Sequence, residues 1–547
     1  MEVPIPIPDR RRTSHLRAAA FAVGAVAFAM AYGLKPLYLE NQNTYLLHGL
    51  ASSGFGFLSK DWLANTTDPT PVFSFAVRET YILLGEWAFH LWYVLLLGIY
   101  FCSMLAICRE MKGRAQDDMH TVVMGIGIVV LHSNALRAVW SRLMPMPNIP
   151  LLLQSGIAGQ YVLGPVFQPS LFGVFILLGI ALFLSGKHYQ AIAAVSCAVL
   201  FHPTYVFVSA TVVLAFAICS YANGVLRSLT LCALFAALVS PILFYALINF
   251  EFSSEETIRA AQHILVYERI PHHALLRQWA TAGTWLQLAA IIGGIWVAAR
   301  VARHRKLFLI LLIPFLVALA GTAVQAVSGS QFLALLFPWR VSVLLVPMST
   351  CLILSALVPF ICRWLSGANP ALYRKLRAGA VVAVGAVALL GLSGTLLSFH
   401  KHQNDPAQKL FQWVRTHKRP GDCYLVPVPD SRRSAAIVTM EFRLATGVPV
   451  FVDWKSHPYK DVEVLEWHKR IQFARGLSNA TGLAKEEALR EARAKGISYV
   501  VLPASEYEGM GINLPLEYND GHYAVLALAS GGCKPKAAAG LEAPPSI

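Results

Sequence analysis

Long apolar runs separated by short polar stretches occupy the first 400 residues of the chain. An α-helix needs about 20 mainly apolar residues to cross the roughly 30 Å hydrocarbon layer of a membrane. Eleven runs approach or reach that length, and they predict spans at 15–34, 88–108, 119–140, 168–186, 189–202, 204–222, 228–248, 283–303, 307–326, 333–362 and 378–398. The run 189–202 is short and stops before Pro203, which breaks a helix, so we interpret it as a half-helix or a tilted span.

The pattern changes after about residue 400, where charge rises and the long apolar runs end. Helical patterns at 405–417, 462–475 and 483–495 alternate with predicted strands at 423–428, 448–453 and 498–502. Such alternation is typical of a small α/β domain, which we place at 401–530. Residues 531–547 are rich in Ala, Pro and Gly, and we expect a disordered tail there.

Composition agrees with a polytopic α-helical membrane protein of about eleven spans that carries a C-terminal α/β domain. Of 547 residues, 56% are hydrophobic and 14% charged, against roughly 45–50% and about 25% in soluble domains. Soluble globular, disordered, collagen-like and coiled-coil classes are therefore excluded. We assign 15–400 to a transmembrane bundle that includes the outer loops 35–87 and 249–282.

The distribution of charge predicts the orientation in the membrane. Lys and Arg number 45 against 30 Asp and Glu, a formal charge of +15. The cations form short runs near residues 10–17, 109–114, 300–306 and 363–377, as cytoplasmic loops do. With residues 1–14 as a basic cytoplasmic N-terminus, eleven crossings place 35–87, 141–167, 249–282, 327–332 and 399–547 outside. The cations do not lie beside exposed aromatic residues, so nucleic acid is not an expected partner.

Two carboxylates in the first outer loop are candidate catalytic bases. Glu40 lies about six residues beyond the first span, and Asp61 precedes Trp62, whose ring favours a membrane interface. A general base must reach its target hydroxyl within about 3 Å, which a loop folded back toward the membrane would permit. The alternative is a solvated acidic loop without catalytic function.

A second set of candidates is cationic and also predicted outside. Arg269, His272 and His273 lie in the loop 249–282, and Arg340 lies near the start of a span. An Arg inside a span costs about 2.5–3.5 kcal/mol on insertion scales, so Arg340 needs a structural partner or a wet cavity. All four side chains suit a phosphate, although local hydrogen bonding is an equal alternative for the histidines. Their spacing does not predict a metal site, no cofactor is expected, and a divalent metal remains open.

Further polar residues could line a cavity. His202 stands at the break before Pro203, and Asp453 and Lys455 flank Trp454 in the predicted outer domain. These side chains either contact a ligand or acceptor, or they belong to a region whose tryptophans pack the domain on the bundle.

The arrangement resembles the GT-C superfamily of integral membrane glycosyltransferases, and in detail an uncharacterised bacterial branch of it. The resemblance covers most of the chain in layout. Its local motifs are Lys60-Asp61-Trp62, Gln168-Pro169-Ser170, His202-Pro203-Thr204-Tyr205, Pro271-His272-His273 and Asp453-Trp454-Lys455. The sequence departs from the usual pattern because no Asp-Glu pair follows the first span.

The resemblance implies transfer of a sugar from a polyprenyl-phosphate donor to a glycan, lipid or protein acceptor outside the cytoplasm. It implies a location in the bacterial inner membrane, with membrane lipid as a partner. The catalytic carboxylate then corresponds to Glu40 or Asp61, and Arg269, His272, His273 and Arg340 hold the lipid phosphate. Two other hypotheses stay open: a transporter or lipid flippase of envelope polysaccharide synthesis, and a non-catalytic assembly factor.

Overall fold

The computed structural model describes residues 10–111, 118–145, 148–251, 253–368, 370–428, 437–508 and 514–528. The chain divides into two compact units. We call the first the bundle unit, made of Met1–Lys35, Trp87–Asn249 and Gln262–Phe399. The second, the sheet unit, is made of Pro36–Glu86, Phe250–Ala261 and His400–Ile547. The first predicted outer loop thus belongs to the same compact unit as the C-terminal region.

Long apolar helices form the bundle unit. Among the described residues, seven segments have the length and composition to cross a membrane: Ala88–Glu110, Pro203–Asn223, Val225–Asn249, Ala282–Val301, Arg305–Ser328, Gln331–Phe360 and Val381–Gln403. Thr121–Leu131 and Asn134–Leu143 would make an eighth span, bent by 51°. Three apolar helices are shorter: Phe21–Tyr32, Pro169–Leu184 and His188–Phe201. Helices therefore occupy all eleven predicted positions, whereas the number of crossings stays a prediction.

The bend in the third apolar segment has a local cause. Ser133 adopts an extended conformation, and its side chain accepts a hydrogen bond from the Leu136 amide, which starts a new helix there. The buried His132 just before it lies between Tyr100 Oη, at 2.8 Å from Nδ1, and Thr350 Oγ1, at 3.2 Å from Nε2. The Ser133 side chain thus satisfies one amide at the start of the new helix, and the neighbouring hydroxyls satisfy the two ring nitrogens of His132.

Shorter elements of the bundle unit connect these helices. The short α-helices are Ile149–Gln154, Pro271–Ala274, Leu276–Trp279 and Gln331–Leu335. Turns of 3₁₀-helix lie at Ile157–Gly159, Pro169–Gly173, Pro203–Tyr205, Tyr221–Asn223 and Pro338–Val341. Two π-helical turns lie at Ile264–Arg269 and Val297–Val301. The helix Glu255–His263 begins in the sheet unit and ends in the bundle unit.

A mixed four-stranded sheet organises the sheet unit. Its strands are β1 (Tyr424–Leu425), β2 (Tyr499–Pro503), β3 (Leu516–Asn519) and β4 (Tyr523–Ala527), in the order β1-β2-β4-β3. β1 and β2 are parallel, and β4 is antiparallel to both β2 and β3. The α-helices are Gln42–Tyr45, Leu47–Ser52, Pro71–Leu84, Ala407–His417, Ile437–Thr446, Asp461–Asn479, Gly482–Ala494 and Ala504–Glu508, and turns of 3₁₀-helix lie at Leu58–Lys60 and Leu63–Asn65.

Apolar side chains from two helices, Ala407–His417 and Ile437–Thr446, and from the sheet form a core of this unit. Leu410, Phe411 and Val414 of the helix Ala407–His417 are fully buried against residues that include Val501 and Val525. Their spacing along the helix gives one apolar face, as the sequence pattern requires. The helices predicted at 405–417, 462–475 and 483–495 and the strand at 498–502 are confirmed in position.

Several predicted details of this region are corrected. The strand expected at 423–428 contains only two residues, and the strand expected at 448–453 is reduced to a single parallel bridge between Val450 and Tyr424. The helix Ile437–Thr446 and the hairpin of β3 and β4 were not predicted. The C-terminal residues expected to be disordered, 531–547, lie outside the described residues.

Candidate functional site

In the bundle unit, Arg340 and His202 form a polar pair. Arg340 Nη2 lies 3.0 Å from His202 Nε2, so the guanidinium donates and the imidazole nitrogen accepts. The Tyr205 ring centroid lies 5.3 Å from the guanidinium carbon, and Tyr205 Oη donates to the Ser170 carbonyl at 2.6 Å. The break before Pro203 is what brings His202 and Tyr205 into this position, because the chain leaves the helix there.

The two adjacent histidines lie against the loop that precedes Gln160. His273 Nδ1 and the Ala158 carbonyl oxygen are 2.6 Å apart, and the His272 and His273 ring centroids are 3.7 Å apart. Phe337, three residues before Arg340, presents its ring to His273 at a centroid distance of 6.4 Å. Ala158 and Phe337 both have left-handed backbones, with φ of 60° and 49°. Such strain in non-glycine residues is characteristic of functional sites.

A glutamine fixes the loop on which His273 rests. Gln287 Nε2 lies 3.1, 3.0 and 3.1 Å from the carbonyl oxygens of Leu152, Ser155 and Gly156. Ser342 Oγ accepts a hydrogen bond from the Ile157 amide at 2.8 Å. These bonds satisfy backbone groups that no helix pairs, and they hold the loop in one conformation.

Arg269 is the fourth predicted cation. It ends the π-helical turn Ile264–Arg269, which packs on the helix Gln331–Leu335, and its side chain is buried. Single π-turns inside α-helices occur frequently at functional sites. The structure thus pairs Arg340 with His202 and His272 with His273, and it places Arg269 on an adjoining segment.

In the sheet unit, Glu40 lies on a tight turn that buried amides support. Tyr38 and Glu40 have positive φ of 69° and 51°, and the Glu40 side chain is half-buried. The Tyr38 amide donates to Gln42 Oε1 at 2.6 Å, while Asn43 Nδ2 donates to the Tyr38 carbonyl. The Tyr38 hydroxyl donates to Glu86, and burial raises the pKa of this phenol. The turn therefore holds the Glu40 backbone in a conformation that non-glycine residues rarely adopt.

Asp61 occupies a very different environment. It is fully buried, and its Oδ2 lies 2.9 Å from Arg443 Nε and 2.8 Å from the Val450 amide nitrogen. Its Oδ1 accepts from the Leu63 amide at 2.9 Å. The same guanidinium donates through Nη1 to Asp453, so Arg443 binds two carboxylates. Burial by itself would lower the pKa of Arg443, but Asp61 and Asp453 outweigh it and raise that pKa.

The tryptophans that follow the two aspartates in the sequence form cation–π contacts. Trp62 and Trp454 lie under the guanidinium groups of Arg470 and Arg475, at 4.3 and 4.4 Å from ring centroid to guanidinium carbon. Both arginines belong to the helix Asp461–Asn479. Each Asp-Trp motif thus places its carboxylate on Arg443 and its indole on that helix. Lys455, the remaining member of the second motif, is half-buried.

Asp453 is buried, and both of its carboxylate oxygens accept hydrogen bonds. Its Oδ1 accepts from the Ser456 amide at 2.6 Å, and its Oδ2 accepts from Arg443. These contacts bind Asp453 within the sheet unit, and its contact with a ligand or acceptor stays a prediction. Arg443 itself was missed by sequence analysis, although a single Arg within the otherwise apolar run Phe442-Arg443-Leu444-Ala445 is a signal of a buried charge.

Among the described residues, no group of three or more His, Cys, Asp or Glu side chains is arranged to hold a metal ion. Cys423, next to β1, is disulfide-bonded, and Cys533 lies outside the described residues.

Comparison with known proteins identifies the fold. Residues 405–474 match the family described as "Domain of unknown function (DUF6798)", and no curated protein matches the chain. ArnT from Cupriavidus metallidurans bound to undecaprenyl phosphate is similar at a TM-score of 0.51 and 14% identity, over 94% of this chain and 98% of ArnT. Its apo form gives a TM-score of 0.49 and 13% identity, over 95% and 98%. The resemblance predicted from the sequence is confirmed: the chain has the fold of ArnT, a membrane glycosyltransferase of the GT-C type.

Proposed function

We propose that this protein transfers a sugar from a polyprenyl-phosphate donor to a glycan, lipid or protein acceptor on the extracytoplasmic side of the bacterial inner membrane. The observation that carries the proposal is the similarity to ArnT bound to undecaprenyl phosphate, which extends over nearly the whole length of both chains. The apolar helices support a membrane location, and the disulfide-bonded Cys423 suits an oxidising compartment for the sheet unit.

In the proposed reaction, Arg340 stabilises the additional negative charge that the lipid phosphate gains when its bond to the sugar breaks. Charge-assisted hydrogen bonds from a guanidinium are strong, and they matter most where charge develops in the transition state. A guanidinium has five N–H donors, of which one is directed to His202. His202 and the Tyr205 ring orient the group, and His272, His273 and Arg269 supply further donors from the same unit.

Of the two carboxylates predicted as bases, we assign the role to Glu40. A base must accept a proton from the acceptor hydroxyl, so it needs an accessible oxygen. The Glu40 side chain is half-buried on its turn, so solvent reaches part of it, whereas Asp61 is fully buried. A lipid phosphate departs as an anion and needs no acid, so one carboxylate is enough. Lys455 stays a candidate contact to the acceptor.

The test is a transfer assay on the purified full chain in proteoliposomes, with a panel of undecaprenyl-phosphate sugars as donors and release of undecaprenyl phosphate as the readout. We expect Glu40→Gln to lower turnover by at least about 100-fold, within the range for loss of a general base, with unchanged thermal stability. Glu256→Gln, at an exposed position of the sheet unit, is the matched control. Asp61→Asn should lower thermal stability as well as activity.

Two outcomes would contradict the proposal. Full activity of Glu40→Gln together with loss of activity in a stable Asp61→Asn protein would assign the base to Asp61. Movement of a labelled donor across the bilayer without any release of undecaprenyl phosphate would identify a flippase and remove the transferase function altogether.

A further inference from the structure

An apolar groove runs along the outside of the bundle unit, on helices that hold none of the candidate site residues. It has a volume of about 580 Å³, and its walls come from the helices Phe21–Tyr32, Ala88–Glu110 and Pro169–Leu184. Small side chains leave the space open, among them Ala25, Gly98 and Ala181. Among its described lining residues, Lys187 is the only charged one.

The length of the groove matches one leaflet of a membrane. On the helix Ala88–Glu110 its lining runs from Val94 to Ala106, and twelve residues at 1.5 Å each make about 18 Å. Half of a hydrocarbon core of about 30 Å is about 15 Å. The groove is therefore long enough for an acyl chain of a lipid that extends from one membrane face to near the middle of the bilayer.

Positive charge gathers at the Lys187 end of the groove. The Arg109 guanidinium carbon lies 5.8 Å from the ring centroid of Phe21, which lines the groove. One acid accompanies them, because Glu110 accepts a hydrogen bond from Ser185 at 3.5 Å. Lys187 and Arg109 outnumber Glu110 and leave a net positive charge where a lipid headgroup would lie.

From this geometry we propose that the groove is a binding site for an anionic phospholipid. One acyl chain lies between the three helices, and the phosphate lies by Lys187 and Arg109. Anionic headgroups are attracted by basic residues at the membrane surface, and long cationic side chains extend to them. By the predicted topology, the Lys187 end of the groove lies at the cytoplasmic leaflet. The bound lipid is therefore not the sugar donor, which the proposed function requires at the extracytoplasmic face. The inference stands independently of the transferase reaction.

Native mass spectrometry of the delipidated full chain tests the proposal, with phosphatidylglycerol, phosphatidylcholine and undecaprenyl phosphate each titrated in turn. We expect phosphatidylglycerol to bind tighter than phosphatidylcholine, and Lys187→Ala to weaken that preference about fivefold, as loss of one cation at a charged surface predicts. Gly98→Leu should weaken both phospholipids, since a Cβ at this position lies 3.6 Å from Ala25 Cβ and a longer side chain continues into the groove.

The controls are Arg277→Ala, which removes an exposed cation elsewhere in the same unit, and Gly394→Leu, at an exposed glycine with no atom near its Cβ position. Neither variant should change the preference for phosphatidylglycerol over phosphatidylcholine. Equal binding of the two phospholipids, an unchanged preference in Lys187→Ala, or displacement of phosphatidylglycerol by undecaprenyl phosphate would each overturn the proposal. Lys187 is exposed, so its variant remains informative even where Gly98→Leu fails to fold.

Discussion

Arg443 Nε lies 2.9 Å from Asp61 Oδ2, although the two residues are 382 positions apart in the chain. Their side chains are 4% and 0% exposed, so the ion pair is excluded from water. The pair links the first predicted outer loop to the C-terminal region within the sheet unit. Asp453 completes the arrangement by binding the same guanidinium.

Arg443→Leu should strongly destabilise the sheet unit. Two buried carboxylates would lose their cation, and removal of one partner from a buried ion pair costs about 3–5 kcal/mol. We expect a clear fall in the thermal unfolding midpoint of the purified chain, followed by tryptophan fluorescence. Arg490→Leu, at an exposed position of the helix Gly482–Ala494, should leave the midpoint nearly unchanged. Equal midpoints for both variants would show that the triad does not stabilise the fold.

The aspartates illustrate what the sequence can and cannot predict. The apolar runs predict the helices, because helix length and membrane thickness are set by simple geometry. The Asp-Trp motifs of the two regions were recognised in the sequence, with contact to a ligand and a purely structural or solvated role both left open. Their actual partner, Arg443, lies in a helix that sequence analysis did not predict, and pairing across 382 residues leaves no periodic signal.

Contacts between residues that are distant in the chain also determine the candidate site in the bundle unit. Arg340 was expected to need a partner, because an Arg in an apolar segment is costly. His202 is that partner in the structure, yet it had been placed only as a cavity residue. The break at Pro203 was visible in the sequence, whereas the direction in which His202 points depends on tertiary packing.

Gly56→Ala should destabilise the contact between the first loop and the segment that follows the helix Ile437–Thr446. A Cβ on Gly56 would lie 2.3 Å from the Gly447 carbonyl oxygen, and the Phe57 amide donates to that oxygen at 2.8 Å. Gly54→Ala is a close control, since Gly54 also has positive φ but no atom within 4 Å of its Cβ position. Both variants place an alanine at positive φ, which costs about 1–2 kcal/mol of backbone strain. A thermal midpoint lower for Gly56→Ala than for Gly54→Ala isolates the steric effect, and equal midpoints would contradict it.

Glu441 should make stability depend on pH. Burial, with a smaller contribution from Asp405, raises the pKa of this carboxyl to about 8, and His402 Nδ1 lies 3.5 Å from its Oε2. The folded protein then binds a proton that the unfolded chain releases near pH 4.5, the ordinary value for Glu. The stabilising contribution is complete below that pH and is lost as pH rises through about 8.

Glu441→Gln removes this titration while keeping the size of the side chain. The thermal midpoint of the natural protein, measured from about pH 5 to about pH 9, should fall relative to that of the variant over this window. Glu486→Gln, an exposed carboxylate of the same unit, should follow the natural protein. Parallel curves for the natural protein and Glu441→Gln would show that the carboxyl does not titrate there.

Arg340→Lys separates a phosphate-binding role from a purely structural one. Lysine keeps the positive charge but lacks the planar guanidinium group. Its ammonium can donate a hydrogen bond to His202 or to a phosphate oxygen, but not to both with the original geometry. We expect turnover with the undecaprenyl-phosphate sugar to fall about 10–100-fold, as loss of one hydrogen bond to a charged group predicts. Arg277→Lys, at an exposed position, should be fully active. A lower thermal midpoint with unchanged turnover would instead make Arg340 a structural partner of His202, and the phosphate would then have to be held by Arg269 and the histidines.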